Sequence, residues 1–512
     1  MATEEENRAG FGSLQEGITH RILSFLSEDD KQTTRDLSEE WSDAVDTYPT
    51  LSFDPVEVKD VENTLLRHTF GGIPLPYQLK IVTDFIPDDH ADVDPARLDK
   101  WLTTAVGNGV RELILSIGCC PYYCCPSNYI IPDCILGAKS LTMLSLTNCK
   151  FPDKLKAQQI LCKNLHTLML RNVSISNDIL SSLIMSCPLI EHLGIENCKD
   201  LDKAKLINIP CLKELHIGHF QCDGEDSLRV EIDAPNLKAA KFGGSCGLHF
   251  VEGVESYRNL QKLMFMRTTL SNLFFDNVVN KLSHLRSLAV ISCNGFAEFN
   301  LTSNSLEKFE FKPDVHDLPA QQLKVNSRSL IDFHLCLLYV NVFPRVSFIS
   351  FSPQLKTEVS IFYDPDRRDK SWFPRMEDTL SGLAPSKISL HIEVKSEFQL
   401  DENVLLEESS TGFADSFLAC CPETIILSLS INERTLCIVN CLQRKLEEKQ
   451  DQDLIRGFKW FVVHCGSEKC QQQTLDLMSL SAECCTRKMI WFALGWNSPS
   501  CSSNNDEEPT DD

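Results

Sequence analysis

From residue 141 onward, one hydrophobic phrase returns at a nearly constant interval. Apolar residues fill its first, fourth and sixth positions at Leu141/Leu144/Leu146, Leu165/Leu168/Leu170, Ile190/Leu193/Ile195 and Leu212/Leu215/Ile217. It continues at Leu237/Ala240/Phe242, Leu260/Leu263/Phe265, Leu285/Leu288/Val290, Leu306/Phe309/Phe311 and Leu330/Phe333/Leu335. The first residues stand 24, 25, 22, 25, 23, 25, 21 and 24 apart. A period of this size marks a stacked repeat. In a strand alternate side chains share a face, so the fourth and sixth positions enter a core and the residues between them face out. No single unit closes its own core, so each must stack on the next. The expected fold class is α/β: a curved solenoid with parallel strands on its concave face and helices or loops on its convex face. Residues 177–186 (NDILSSLIMS) have helical spacing and suit a convex return. A weaker unit at Leu355 keeps the spacing but loses the phrase, and further strands are expected at Ile388/Leu390/Ile392 and Ile425/Leu427/Leu429.

The N-terminal stretch 14–54 has a different pattern. Leu14, Ile18, Ile22, Leu23, Phe25 and Leu26 recur at helical spacing. Ser27-Glu28-Asp29-Asp30 forms a polar break, Leu37, Trp41, Ala44 and Val45 form a second stripe, and Pro49 ends the run. About forty residues of short helices bury little between themselves, so part of this surface calls for a partner; the alternative is a cap on a larger domain. Residues 56–67 read as a connecting helix and 79–86 as a strand. Asp94-Pro95 starts a helix over 96–106 with Leu98, Trp101, Leu102 and Ala105 on one face, and 110–115 follows as a strand. Beyond about 430 the repeats fade into helical patterns at 436–450 and 473–483 and a strand at 460–463. The last residues, NSPSCSSNNDEEPTDD, are polar, acidic and expected to be disordered.

Composition narrows the function classes. Apolar residues make up 43% of the 512, enough for a large core. The net charge of -23 argues against nucleic acid or an anionic membrane as partner, since phosphate binding needs clustered Lys and Arg. The acidic start MATEEENRAG carries no secretory signal, which places the protein in the cytoplasm, the nucleus or both. There the 23 cysteines are expected as reduced thiols. Cys149, Cys198 and Cys293 each stand three residues after the last apolar position of a repeat, with Val173 and Phe220 at the same place elsewhere, and read as small buried apolar residues. Cys119-Cys120 and Cys124-Cys125 lack a second pair at metal-ligand spacing. There is no glycine-rich phosphate loop, no H-E-x-x-H and no G-x-S-x-G, and Cys222-Asp223 is a poor nucleophile because the carboxylate disfavours a thiolate. The reading is a non-catalytic protein with no cofactor and no metal.

The N-terminal positions carry a resemblance. Leu14, Ile18, Ile22-Leu23-Ser24-Phe25-Leu26, Leu37-Ser38, Trp41, Pro49, Leu51, Phe53 and Asp54 resemble, without a gap, the F-box of plant F-box/leucine-rich-repeat proteins. The phrase ARLDKWLTTAVGNGVRELIL resembles that family's entry into its repeats. Gln15 and Ser27 stand where the family usually has prolines, and Glu39-Glu40 where it usually has a basic pair. The resemblance implies a short all-α module docking on a Skp-type adaptor, and through it a cullin–RING ubiquitin ligase, by way of Leu14, Ile18, Ile22, Leu23, Phe25, Leu26, Leu37 and Trp41. It divides the chain into a disordered start (1–10), F-box (11–54), entry segment (55–109), repeats (110–430), an α/β cap (431–496) and an acidic tail (497–512).

Function then rests on surfaces. The outward positions of the repeat strands form three rows, from which Met169, Arg171, His192, His216, Lys262, Met264, Met266 and Ile291 are the candidate contacts to a protein substrate. Met264, Met266, Ala289 and Ile291 would form an apolar island flanked by charge. His192 and His216 are expected side by side. The expected function is the substrate-recognition subunit of an SCF-type ubiquitin ligase. The alternatives are a repeat scaffold, or a ligand-dependent receptor, whose F-box no longer binds the adaptor.

Overall fold

The computed structural model describes residues 16–26, 28–48, 50–53, 61–62, 65, 78–83, 94–118, 129–153, 159–220, 228–244, 246–250, 257–272, 274, 279–314, 322–337, 343–363, 372–383, 387–394, 414–430, 433–464 and 487–496. They fall into two compact units, Met1–Leu263 and Met264–Asp512. Leu14, the termini 1–10 and 497–512, the paired cysteines at 119–125, Cys222 and the segment 473–483 lie outside the described residues.

The first unit opens with three short helices, α1 (Glu16–Leu23), α2 (Glu28–Arg35) and α3 (Glu39–Asp46). Leu23, Ala44 and Val45 form their core, with Leu26, Trp41 and Tyr48 packed around it. The polar break proves to be a helix itself. Although α2 reads EDDKQTTR, Lys31 is buried with its ammonium 4.4 Å from the centre of the Tyr48 ring, an attraction that fastens a polar helix to an apolar neighbour. His20 fastens α1 to the same corner, through Nε2 to Thr47 Oγ1 at 3.1 Å and edge-on against Tyr48. Ser38 caps α3 by accepting from the Trp41 amide at 3.3 Å, and Glu39 and Glu40 sit in the first turn, where the helix dipole favours negative charge.

Thr50–Phe53, the end of this module, is already a strand of the repeat sheet. The sheet runs in parallel through Gln78–Thr83, Glu112–Ile117, Met143–Thr147, Thr167–Arg171, His192–Glu196, Glu214–His219 and Ala239–Gly244. It therefore begins some sixty residues before 110, the expected start of the repeats. Helix Pro95–Gly107 buries Leu98, Trp101, Leu102 and Ala105, and Asp94 accepts from the Arg97 amide at 2.8 Å. Cys149, Val173 and Cys198 are buried at the strand ends as expected.

The second unit repeats the architecture with Ser287–Cys293, Lys308–Pro313, Asp332–Leu337, Lys356–Tyr363, Lys387–Val394 and Thr424–Ser430 in parallel. Stacked phenylalanines fill its core: Phe309 lies between Phe299 and Phe333 at centroid distances of 5.7 and 5.4 Å. Arg487–Trp496 then runs antiparallel to Thr424–Ser430, and Ile455–His464 antiparallel to Arg487–Trp496. Helix Glu433–Asp451 packs on Ile455–His464.

The return segments correct one expectation. Helices occur there, as at Asn177–Ser186, but so do strands: Lys203–Leu206, Leu228–Ile232 and Cys246–Phe250 form a second parallel sheet in the first unit. Glu298–Thr302, Gln322–Asn326 and Arg345–Ser350 do the same in the second. Leu228, Val230 and Ile232, and likewise Leu323 and Val325, alternate buried with more exposed neighbours; that period of two suits a strand rather than a helix.

Candidate protein-interaction surfaces

Three short helices bury few side chains, and the described residues of this module divide sharply. Ile18 is 47% exposed, Leu37 70% and Phe25 79%. Ile22 is half-buried, while Leu26 and Trp41 are half-buried against the module's own core. Leu23 is fully buried and therefore offers no surface to a partner; here the sequence expectation needs correcting. The reason is the end of α1 at Leu23. Phe25 and Leu26 donate their amides to Ile22 and Leu23 carbonyls, three residues back, so the chain leaves the helical phase and turns Phe25 outward.

On the first repeat unit the outward rows fall in register. Met143, Thr167, His192, Glu214 and Ala239 form one, Ser145, Met169, Gly194, His216 and Lys241 the next, and Thr147, Arg171, Glu196, Gly218 and Gly243 the third. Arg171 donates Nε–H to Glu196 Oε2 at 2.7 Å. His192 sits against Glu214, Nδ1 to Oε2 3.1 Å, so its near neighbour is a carboxylate and not His216. His216 is half-buried with Nε2 unpartnered; burial holds its pKa below the usual imidazole range, with the Lys241 cation adding to that and Glu196 opposing it. Met169 lies over Gly194, where a Cβ would stand 2.6 Å from its sulfur. Phe220 folds over Gly218 and Gly243. Lys262, at the end of this unit, is exposed.

The second unit carries a groove of about 510 Å³ on its outward face. Met264 and Ala289 line one end, Lys308, Glu310, Asp332 and His334 the middle, and Lys356, Glu358 and Ser389 the other end. Ala289 is 6% exposed, so the apolar island loses one member to the core, while Met264, Met266 and Ile291 are half-buried. Within the groove, Lys308 Nζ lies 3.3 Å from Asp332. His334 contacts Ser360 Oγ at 3.1 Å through Nε2 and Glu310 at 3.9 Å through Nδ1. Lys356 and Glu358 were not singled out from the sequence, because the repeat at Leu355 has Thr357 where the preceding strands have Phe309 and Phe333. Thr357 is nonetheless 1% exposed and keeps the strand in phase.

Comparison with known proteins fits this geometry. The family model described as At1g61320/AtMIF1, LRR domain, matches residues 77–359, more than half of the chain. The chain belongs to this leucine-rich-repeat family. Relatives from Arabidopsis thaliana include the F-box/FBD/LRR-repeat protein At1g13570, 26% identical over 266 residues, which is 51% of this chain and 55% of the relative. The F-box/LRR-repeat protein At3g26922 is 25% identical over 307 residues, 57% of this chain and 95% of that protein. The chain thus spans about half the length of the first relative and nearly all of the second. The match to this repeat family and the relatives' names support the reading of a plant F-box/leucine-rich-repeat protein. Among the described residues no helix is long and apolar enough to cross a membrane.

Proposed function

We propose that the protein is a substrate-recognition subunit of an SCF-type cullin–RING ubiquitin ligase, acting in the cytoplasm or nucleus. The observation that carries this reading is the exposure of Ile18, Phe25 and Leu37 on a three-helix module whose own core is already filled by Leu23, Ala44 and Val45. Large apolar side chains left in water beside a completed core suit a docking contact. Leu14, Ile18, Ile22, Phe25, Leu26, Leu37 and Trp41 are the adaptor-facing set, while the repeat rows hold a target protein. The chemistry is proximity alone: two binding surfaces on one chain raise the target's effective concentration beside the ubiquitin-charged partner.

A second reading, an interaction scaffold without ubiquitin transfer, draws on Glu39 and Glu40, which are exposed on α3 where the family usually has a basic pair. Size-exclusion chromatography of the full chain with a purified Skp-type adaptor and cullin separates the two. Co-elution supports the ligase subunit; separate elution at micromolar adaptor supports the scaffold.

A further inference from the structure

On the second repeat unit, several charged positions of the outward face have polar partners. Lys308 is paired with Asp332, Lys387 with Glu423, and His334 with Glu310 and Ser360. Strand Lys356–Tyr363 interrupts this order. Lys356 and Glu358 both project from it into the groove, both are exposed, and neither has an ion-pair partner among the described residues. Two residues apart on one strand, they share a face about 7 Å from each other. The pairing Lys308, Asp332, Lys356, Lys387 sets one row across the strands, and Glu310, His334, Glu358, Ser389 sets the next. Between the free lysine and the free glutamate lies the open end of the groove. Met264 forms its apolar end, four strand spacings or about 19 Å away.

We propose that this groove takes an extended segment of the target protein in which an acidic and a basic residue are adjacent, with an apolar residue about six positions away. The inference rests on the target-holding role assigned to the repeats and specifies its chemistry. An extended chain lying between the two rows points successive side chains to opposite sides. An acid–base neighbour pair therefore delivers a carboxylate to Lys356 and a cation to Glu358 in one pass. At about 3.3 Å per residue, six further residues reach Met264. A segment with two like charges leaves one of them against a groove charge of its own sign, which complementarity disfavours.

The test is selection from a random dodecapeptide phage library on the full-length wild-type chain and on the Lys356→Glu, Glu358→Lys double variant. Both side chains are exposed, and thermal melting establishes that the variant is folded; a Lys356→Ala, Glu358→Ala variant provides a second, charge-neutral comparison. The expected result is enrichment of peptides with an adjacent acid–base pair and an apolar residue six positions off. That enrichment should fall at least about tenfold on the charge-neutral variant, which lacks both partners, and the charge-exchanged variant should select the pair in the opposite order relative to the apolar residue. Peptides enriched without the pair, equally on wild type and the neutral variant, or with the same order on wild type and the exchanged variant, overturn the proposal while leaving target recognition by the repeats in place. No enriched peptide on any of the three proteins overturns both.

Discussion

Asn172 donates Nδ2–H to Asn148 Oδ1 at 2.8 Å, one repeat back, and Asn148 in turn donates to the Gly118 carbonyl at 3.1 Å. Both residues, with Asn197, have φ between 51° and 56°, a left-handed conformation that asparagine tolerates better than most residues. At Asn148 and Asn172 the same side chain thus permits the turn after the strand and ties it to the preceding repeat. Asn172→Ala should destabilise the protein by about 1–3 kcal/mol, combining left-handed strain with a lost hydrogen bond. Asn172→Gly should cost less, since glycine relieves the strain alone. Urea denaturation of both variants checks the order.

Gly244 makes a sharper case. Its φ is +69° and an added Cβ would collide with the His219 backbone carbonyl. Gly244→Ala should therefore destabilise by more than about 1 kcal/mol. Gly243→Ala meets only the movable Phe220 ring and should cost less. Thermal melting of the pair reads the difference.

The thiols should divide by burial. Desolvation pushes Cys149 and Cys198 up to about 12, and both lie inside the fold, whereas Cys421 is exposed. Alkylation followed by peptide mass spectrometry should label Cys421 in the native protein. Cys149 and Cys198 should be labelled only after denaturant is added. Labelling of Cys149 at the rate of Cys421 would contradict their assignment as packing residues.

His216 should give stability a dependence on mild acid. Its folded pKa is lowered, so as pH falls below about 6.5 the unfolded chain takes up a proton that the folded chain resists. The unfolded state binds more protons there, and stability falls; above about 6.5 both states are neutral and the effect vanishes. His216→Gln should lose less stability than wild type between pH 7.5 and pH 5.5 in urea titrations.

The fold was legible where one chemical rule governed a strand. Leu168 and Leu170, or Phe309 and Phe311, enter the core, and the phrase that contains them gave both period and register. It failed where the rule was relaxed. Thr357 takes the place that Phe333 holds in the neighbouring strand and hid a strand that lines the groove. Arg487–Trp496 has partners on both edges, and its nearly continuous apolar run shows no alternation to mark it as a strand. The back strands, such as Glu298–Thr302, are short enough for their alternation to pass unnoticed between stronger phrases. In the helical module, periodicity identified the apolar set but not its facing. Leu23 and Phe25 look equivalent in sequence, and only the end of α1 between them sends one to the core and the other to solvent.

That division separates folding from binding. Leu23→Ala should destabilise the helical module by about 2–5 kcal/mol, the range for a buried leucine. Phe25→Asp should leave its melting nearly unchanged. Hydrogen exchange over residues 16–48 distinguishes the two variants.

The central claim is that the exposed apolar residues of this module dock a Skp-type adaptor. Isothermal titration of purified adaptor into the full-length chain tests it most directly, with wild type beside Ile18→Asp, Phe25→Asp and Leu37→Asp. The account predicts binding by wild type and a loss of at least about tenfold in affinity for Phe25→Asp, without loss of fold. Absence of wild-type binding, or undiminished binding by all three variants, would contradict it.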